Sequence, residues 1–150
     1  RELYFVTCMF LFIPVRLIIA PAFSASESGN LLSAAKLTVN SPELHSAGGR
    51  ISAVDLELNL LKRLANGGNI IARNLALNTP DITNSGLIYG KAGYQVRVDN
   101  LSNSGTLSSP AKIDIAALHD RLDIHNSGNI LARQTEINAD SLYGAGTVSG

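Results

Sequence analysis

The sequence contains a repeat with a period of about 19 residues. A glycine recurs every 18 to 23 residues from position 29 onward, and a Leu, Ile or Val stands two residues after each one. The glycines are Gly29, Gly49, Gly68, Gly86, Gly105, Gly128 and Gly146, and the aliphatic residues are Leu31, Ile51, Ile70, Ile88, Leu107, Ile130 and Val148. A fixed period of this length is typical of solenoid proteins, in which each repeat is one structural unit.

Two further apolar positions recur in each repeat. An apolar pair with one residue between its members follows most of the glycines, and a third apolar position comes later. The pairs are Leu37/Val39, Leu56/Leu58, Leu75/Leu77, Ile113/Ile115 and a displaced Val96/Val98, with Ile137 alone; the third positions are Leu44, Leu64, Ile82, Leu101 and Leu142, and Leu122 with Ile124 in the longest repeat. Alternation of this kind puts every second side chain on one face, as a half-buried strand requires.

Polar corners separate these apolar patches. Asn-Ser-Gly occurs at residues 84–86, 103–105 and 126–128, and Asn66-Gly67-Gly68 is a fourth version. Glycine accepts positive φ without strain, and asparagine tolerates the left-handed region, so both residue types favour a turn. A turn that recurs once per period predicts a corner repeated along one edge of a stack.

Two segments have a spacing that also fits a helix. Residues 53–65 place Val54, Leu58, Leu61 and Ala65 at helical intervals, and residues 110–124 begin with a proline. The phase of the neighbouring repeats favours a strand for the first segment. The second belongs to the 23-residue repeat, whose extra residues are expected to form a bulge or a short helical turn that projects from the stack.

Stacking is a requirement for a repeat of this size. Three or four core side chains contribute roughly 1.5–3 kcal/mol each on burial, whereas ordering the backbone costs on the order of 1–2 kcal/mol per residue. A single repeat is therefore unstable, and stacked repeats cover one another. Aliphatic residues dominate, since aromatic residues make up 5% of the chain. The sequence predicts an all-β parallel β-helix of about six coils over residues 26–150, about 30 Å long at the spacing of paired strands.

Residues 1–25 differ from the repeats. They are almost continuously apolar and end in Ala22-Phe23-Ser24-Ala25, small residues of the kind that signal peptidase cleaves. We expect an export signal or its remnant, cut near Ala25. A lipid anchor or membrane span is an alternative, as is an artefact of the gene start, since the chain begins with Arg1 and its single methionine is Met9.

The repeats resemble those of filamentous haemagglutinins, the large exoproteins of bacterial two-partner secretion. The resemblance rests on residues 126–133 (NSGNILAR), 66–73 (NGGNIIAR) and 48–53 (GGRISA), and it extends over about residues 28–150. The N-terminal secretion domain of that family and its Asn-Pro motifs are not found in this sequence, and the last residues begin another repeat. A fragment or degenerate copy of a longer array is therefore expected.

The resemblance implies a right-handed β-helical shaft of a secreted bacterial surface adhesin that mediates cell adhesion and contributes to virulence. It also implies an outer-membrane two-partner secretion transporter as export partner, and a receptor on a host or neighbouring cell. We expect any binding to be multivalent, through many copies of weak sites along a long fibre. The stalk of a contact-dependent growth-inhibition toxin or of a haemolysin is the alternative.

Other functions have little support in the sequence. The formal net charge is zero, so no basic field favours nucleic acid. Cys8 is the single cysteine, which rules out an intramolecular disulfide and a cysteine-based zinc site. The richest polar cluster, residues 119–125 (HDRLDIH), is interpreted as a corner or surface bulge rather than as a metal or acid–base site. A β-helix enzyme acting on polysaccharides is less favoured because charged residues are few and scattered, and no catalytic, cofactor or metal residues are predicted.

Overall fold

The computed structural model describes residues 36–150 in full and, before them, the backbone of three strands. All the elements are β-strands, and every strand pairing is parallel. The strands are β1 (Leu3–Leu11), β2 (Val15–Ile18), β3 (Ala22–Ser33), β4 (Lys36–Ser46), β5 (Arg50–Asn66), β6 (Asn69–Asn78), β7 (Asp81–Asn84), β8 (Leu87–Val98), β9 (Asn100–Asn103), β10 (Thr106–Ala117), β11 (Asp123–Asn126), β12 (Asn129–Asn138), β13 (Ser141–Tyr143) and β14 (Thr147–Ser149). The predicted all-β solenoid of about six coils, spaced by about 19 residues, is confirmed.

Three ladders of paired strands run along the coil axis, one for each apolar patch of the repeat. The first ladder pairs Leu31, Ile51, Ile70, Ile88, Leu107, Ile130 and Val148 in succession. The second runs through Val39, Leu58, Leu77, Val96, Ile115 and Ile137. The third runs through Leu44, Leu64, Ile82, Leu101, Ile124 and Leu142.

The core is the space that these ladders enclose. Ile51, Ile70 and Ile88 are completely buried in the first column. Each inward aliphatic side chain is covered by its equivalents on the coils above and below, which is the burial that an isolated repeat lacks. The last coil has no coil above it in this chain, and Leu142 and Val148 are exposed there.

The helical spacing of residues 53–65 does not produce a helix. This segment lies within β5, where Val54 and Leu61 face solvent although a helix would bury them. The pairing register of β4 with β5 shifts by one residue between Ser41 and Glu43, which gives β5 an extra residue beside the exposed Leu61. Burial of the side chains alternates along most of this segment, so it forms a strand, as predicted from the phase of the neighbouring repeats.

The four extra residues of the longest repeat form a loop without a helical turn. Ala117 pairs with Val98, and Asp123 pairs with Asn100, so residues 118–122 occupy the place of Asp99 in the preceding coil. Leu122, at the end of this loop, is fully buried. Of the two predicted alternatives, a bulge and a short helical turn, the helical turn is not formed, and the extra residues lie in a loop between paired strands.

One core pair was assigned wrongly from the sequence. Val96 pairs with Ile115, so the residue equivalent to Ile113 is Tyr94, and the pair is not displaced. Tyr94 is buried in the core and its hydroxyl donates a hydrogen bond to the Ile88 carbonyl, 3.1 Å away. Burial raises the pKa of this phenol well above its ordinary value. One aromatic residue therefore lies within a core that is otherwise aliphatic.

The export-leader prediction for residues 1–25 concerns side chains that lie outside the described residues, and it stays a prediction. Backbone strand β1 pairs with β3, and β2 pairs with β4. Within the described part of the chain, no helix is long and apolar enough to cross a bilayer.

Candidate functional site: the glycine and asparagine corner

The recurring glycines lie where neighbouring coils approach each other most closely. A Cβ added to Gly105 would lie 2.1 Å from the carbonyl oxygen of Gly86, and one added to Gly86 would lie 2.0 Å from that of Gly68. Gly68 and Gly128 have the same relation to the coil before them. Each glycine is therefore needed because a side chain would collide with the backbone of the preceding coil.

The conformational reason given for these turns in the sequence analysis is wrong. Among the residues whose backbone is described, only Gly144 has a positive φ, of 121°, and no asparagine has one. The Asn-Ser-Gly corners are thus made with ordinary backbone conformations. Their residue types have another explanation, which is the contact between coils.

The corner asparagines form a ladder inside the solenoid. Asn66, Asn84, Asn103 and Asn126 stack in register and are buried. Nδ2 of each of the first three donates to Oδ1 of the next at 2.8 Å. Because a buried amide without partners costs about 1–3 kcal/mol, each coil fixes the register of the next through this bond.

The first three ladder amides, those of Asn66, Asn84 and Asn103, also close their own corners. Asn84 Nδ2 lies 3.1 Å from the Gly86 carbonyl and 3.3 Å from the Thr106 carbonyl, and Asn103 repeats both contacts with Gly105 and Asn129. The amide of Asn84 therefore contacts the carbonyl of its own turn, the ladder asparagine of the next coil and the carbonyl of Thr106, where strand β10 begins. The recurrence of Asn is visible in the sequence but this role is not, because the ladder bonds join residues about one full repeat apart.

A second, more exposed amide ladder follows the outer side of the stack. Asn78 Nδ2 donates to Asn59 Oδ1, and Asn59 Nδ2 donates to Asn40 Oδ1, each at 3.0 Å. The next position is Arg97, which pairs with Asn78 in register and forms an ion pair with Asp114 at 3.2 Å. Polar side chains on the outer surface thus add to the alignment of the coils.

The polar cluster at residues 119–125 is a surface loop fixed by its neighbours. The His119 backbone N–H donates to Asp99 Oδ1 at 2.9 Å, and its Nδ1 lies 2.6 Å from Asp99 Oδ2. The hydrogen bond to Asp99, together with the charge of that carboxylate, raises the pKa of His119. Arg121 forms a two-point ion pair with Asp123 and, with Ser141, lowers the pKa of that carboxyl group.

This cluster does not bring together a metal-binding set. Within residues 36–150, no three His, Cys, Asp or Glu side chains are placed to hold a metal ion. His125 instead stacks on Tyr143 of the last coil, with 4.9 Å between ring centroids. The loop is held by side chains of the coils on both sides, Asp99 before it and Asp140 and Ser141 after it.

The outer surface of the solenoid carries shallow grooves. One of about 370 Å³ follows the second ladder between Asp55, Asn74 and Gln95. Asn74 Nδ2 donates to Asp55 Oδ1 at 2.7 Å along this groove, so part of its polar surface is already paired.

Comparison of the chain with protein-family models, with curated proteins and with solved structures gives no match.

Proposed function

We propose that this chain is a structural shaft segment of a secreted bacterial surface adhesin of the filamentous haemagglutinin type. The observation that carries the proposal is the continuous register of the first ladder, in which one aliphatic residue per coil pairs with the next from Ile51 to Val148. Such a stack grows by about 4.8 Å per coil. It is a rod whose length is set by the number of repeats.

The distribution of side chains supports a role in display rather than in catalysis. The inner positions carry mainly aliphatic columns and an asparagine ladder, whereas most outer positions vary from coil to coil. Variation on the outside leaves the packing inside unchanged. A shaft of this kind presents many different surface patches at fixed spacing, which suits weak multivalent binding to another cell.

The test compares one copy of the chain with many. The soluble chain, labelled with a fluorophore, and beads coated densely with the chain are incubated with cultured epithelial cells. We expect the beads to attach and the soluble monomer to show no measurable attachment, since each contact is weak. Beads that carry heat-denatured chain are the control. Tight binding by the soluble monomer, or attachment of both bead types alike, would contradict the proposal.

The secretion route is tested separately by sequencing the DNA on both sides of the gene. Two-partner secretion predicts further repeats in the same reading frame and a neighbouring gene for an outer-membrane transporter. Flanking DNA that encodes neither would contradict this route but would leave the adhesion result in place.

A further inference from the structure

The asparagine ladder has a direction. Every Nδ2 in it points to the following coil, and every Oδ1 faces the preceding one. The amide dipoles therefore align, and their negative end is Oδ1 of Asn66. At the other end, Asn126 Nδ2 donates to the Thr147 carbonyl at 3.0 Å. Among the described residues, no equivalent contact is made at the acceptor end of the ladder.

Ser46 occupies the ladder position on the preceding coil. It pairs in register with Asn66, and both residues are 2% exposed. Neither Ser46 Oγ nor Asn66 Oδ1 has a hydrogen-bond partner in the part of the chain that the structure describes. A serine side chain lacks the carboxamide group that spans the distance between coils elsewhere in the ladder. The corner thus holds a hydroxyl group and a carbonyl oxygen that are both buried and unpaired.

The same corner differs from the others at its second residue. Ser85, Ser104 and Ser127 each place Oγ 3.4–3.5 Å from the backbone carbonyl of the preceding ladder asparagine. Gly67 stands at this position after Asn66, so the equivalent contact to Ser46 is absent. A cavity of about 310 Å³ adjoins the corner and is lined by Ser46, Asn66, Thr83 and Ser85, among others.

We propose that one water molecule binds between Ser46 Oγ and Asn66 Oδ1 and takes the place of the missing asparagine amide. Buried polar atoms in proteins are almost always paired, and buried water molecules make two to four bonds to groups of this kind. The water donates to Asn66 Oδ1, where the aligned amides favour a donor, and it accepts from the Ser46 hydroxyl.

A crystal structure of the full chain tests the site directly. We expect one solvent peak within about 2.6–3.2 Å of both Ser46 Oγ and Asn66 Oδ1. In the Ser46→Asn variant, we expect the peak to be replaced by a bond from Nδ2 of the new side chain to Asn66 Oδ1. Absence of the peak in the unaltered protein, or a direct bond between the two side chains, would overturn the proposal.

Thermal unfolding gives an independent measurement. Ser46→Asn extends the ladder by one rung, and we expect Tm to rise by about 2–4 °C. Ser46→Ala removes one partner of the water, so Tm should fall. Thr83→Ala is the matched control because Thr83 lines the same cavity but is exposed and lies outside the ladder, and its Tm should stay unchanged. If the two Ser46 variants both matched the control, the proposal would be wrong.

Discussion

Asn84 Nδ2 donates to Asn103 Oδ1 across 2.8 Å, although the two residues are 19 positions apart in the chain. The separation of 19 residues along the chain equals one coil, so this hydrogen bond joins equivalent positions of neighbouring coils. The aliphatic columns supply most of the burial, but their contacts have no direction, so they tolerate a slip of two residues, which keeps the same side chains on the inner face. The amide ladder does not, since a slip leaves buried polar groups unpaired.

The first prediction removes one rung of the ladder. Asn103→Ala leaves Asn126 Oδ1 without its donor and takes one acceptor from Asn84 Nδ2. We expect the free energy of unfolding to fall by about 1–3 kcal/mol, measured by urea denaturation. Asn69→Ala is the control because Asn69 is exposed on the outer surface. Equal loss of stability in the two variants would show that the ladder makes no special contribution.

The second prediction concerns the close approach of coils. Gly105→Ala puts a Cβ 2.1 Å from a backbone carbonyl oxygen that cannot move without separating the coils. We expect a loss of about 1–3 kcal/mol or more in the free energy of unfolding. In Gly93→Ala the new Cβ meets the end of the Asn74 side chain at 3.0 Å. Because that side chain can move, this control variant should unfold at the same urea concentration as the unaltered protein, or slightly higher.

The length of the repeat and the residues that face the core could be predicted from the sequence, because both depend on aliphatic residues and glycines that recur at regular intervals. Ile51, Ile70 and Ile88 recur at nearly equal intervals. One aliphatic residue per repeat at a constant spacing is sufficient to form a column of buried side chains. Tyr94 was missed because its buried place depends on a hydrogen bond to Ile88, which lies in another ladder.

The corner chemistry was harder to predict because its cause is not local. Asparagine and glycine in sequence suggest a turn with positive φ, and that rule uses only the residues of the turn. Here the residue types are selected by contacts with the coils on either side: Gly105 by the backbone of Gly86, and Asn103 by Asn84 and Asn126. The position of these partners is known only once the coils are stacked.

The third prediction uses two adjacent leucines with opposite environments. Leu60 is 4% exposed and Leu61 is 78% exposed. A strand places neighbouring side chains on opposite faces, whereas the helical interpretation of residues 53–65 would bury Leu61. Leu60→Ala should lower the free energy of unfolding by about 2–5 kcal/mol. Leu61→Ala should change it by less than about 0.5 kcal/mol. Urea denaturation measures both, and the reverse order would support a helix.

The fourth prediction is a pH dependence of the surface loop. The hydrogen bond to Asp99, with the charge of that carboxylate, raises the folded-state pKa of His119 above its ordinary value near 6.5. The contribution of this contact to stability is therefore complete below the ordinary pKa and is lost as pH rises through the raised one.

An NMR titration of the His119 ring checks the direction of this shift. Asp99→Asn should bring the pKa of His119 back toward the ordinary value. Asp120→Asn should lower it less, because Asp120 acts on the ring only through its charge and is the smallest of the contributions. An unchanged pKa in Asp99→Asn would mean that this contact does not form in solution.

Equivalent residues of successive coils lie in one straight column, and distances between pairs of spin labels measure this arrangement. Labels are placed on exposed members of the first ladder, in a Cys8→Ser background. Arg50 is paired in turn with Asn129, four coils away, and with Thr147, five coils away. We predict that the backbone separation grows from about 19 Å to about 24 Å, one strand spacing per coil. Label distances that failed to increase with each added coil, or that were much longer than the column allows, would contradict the stacked solenoid.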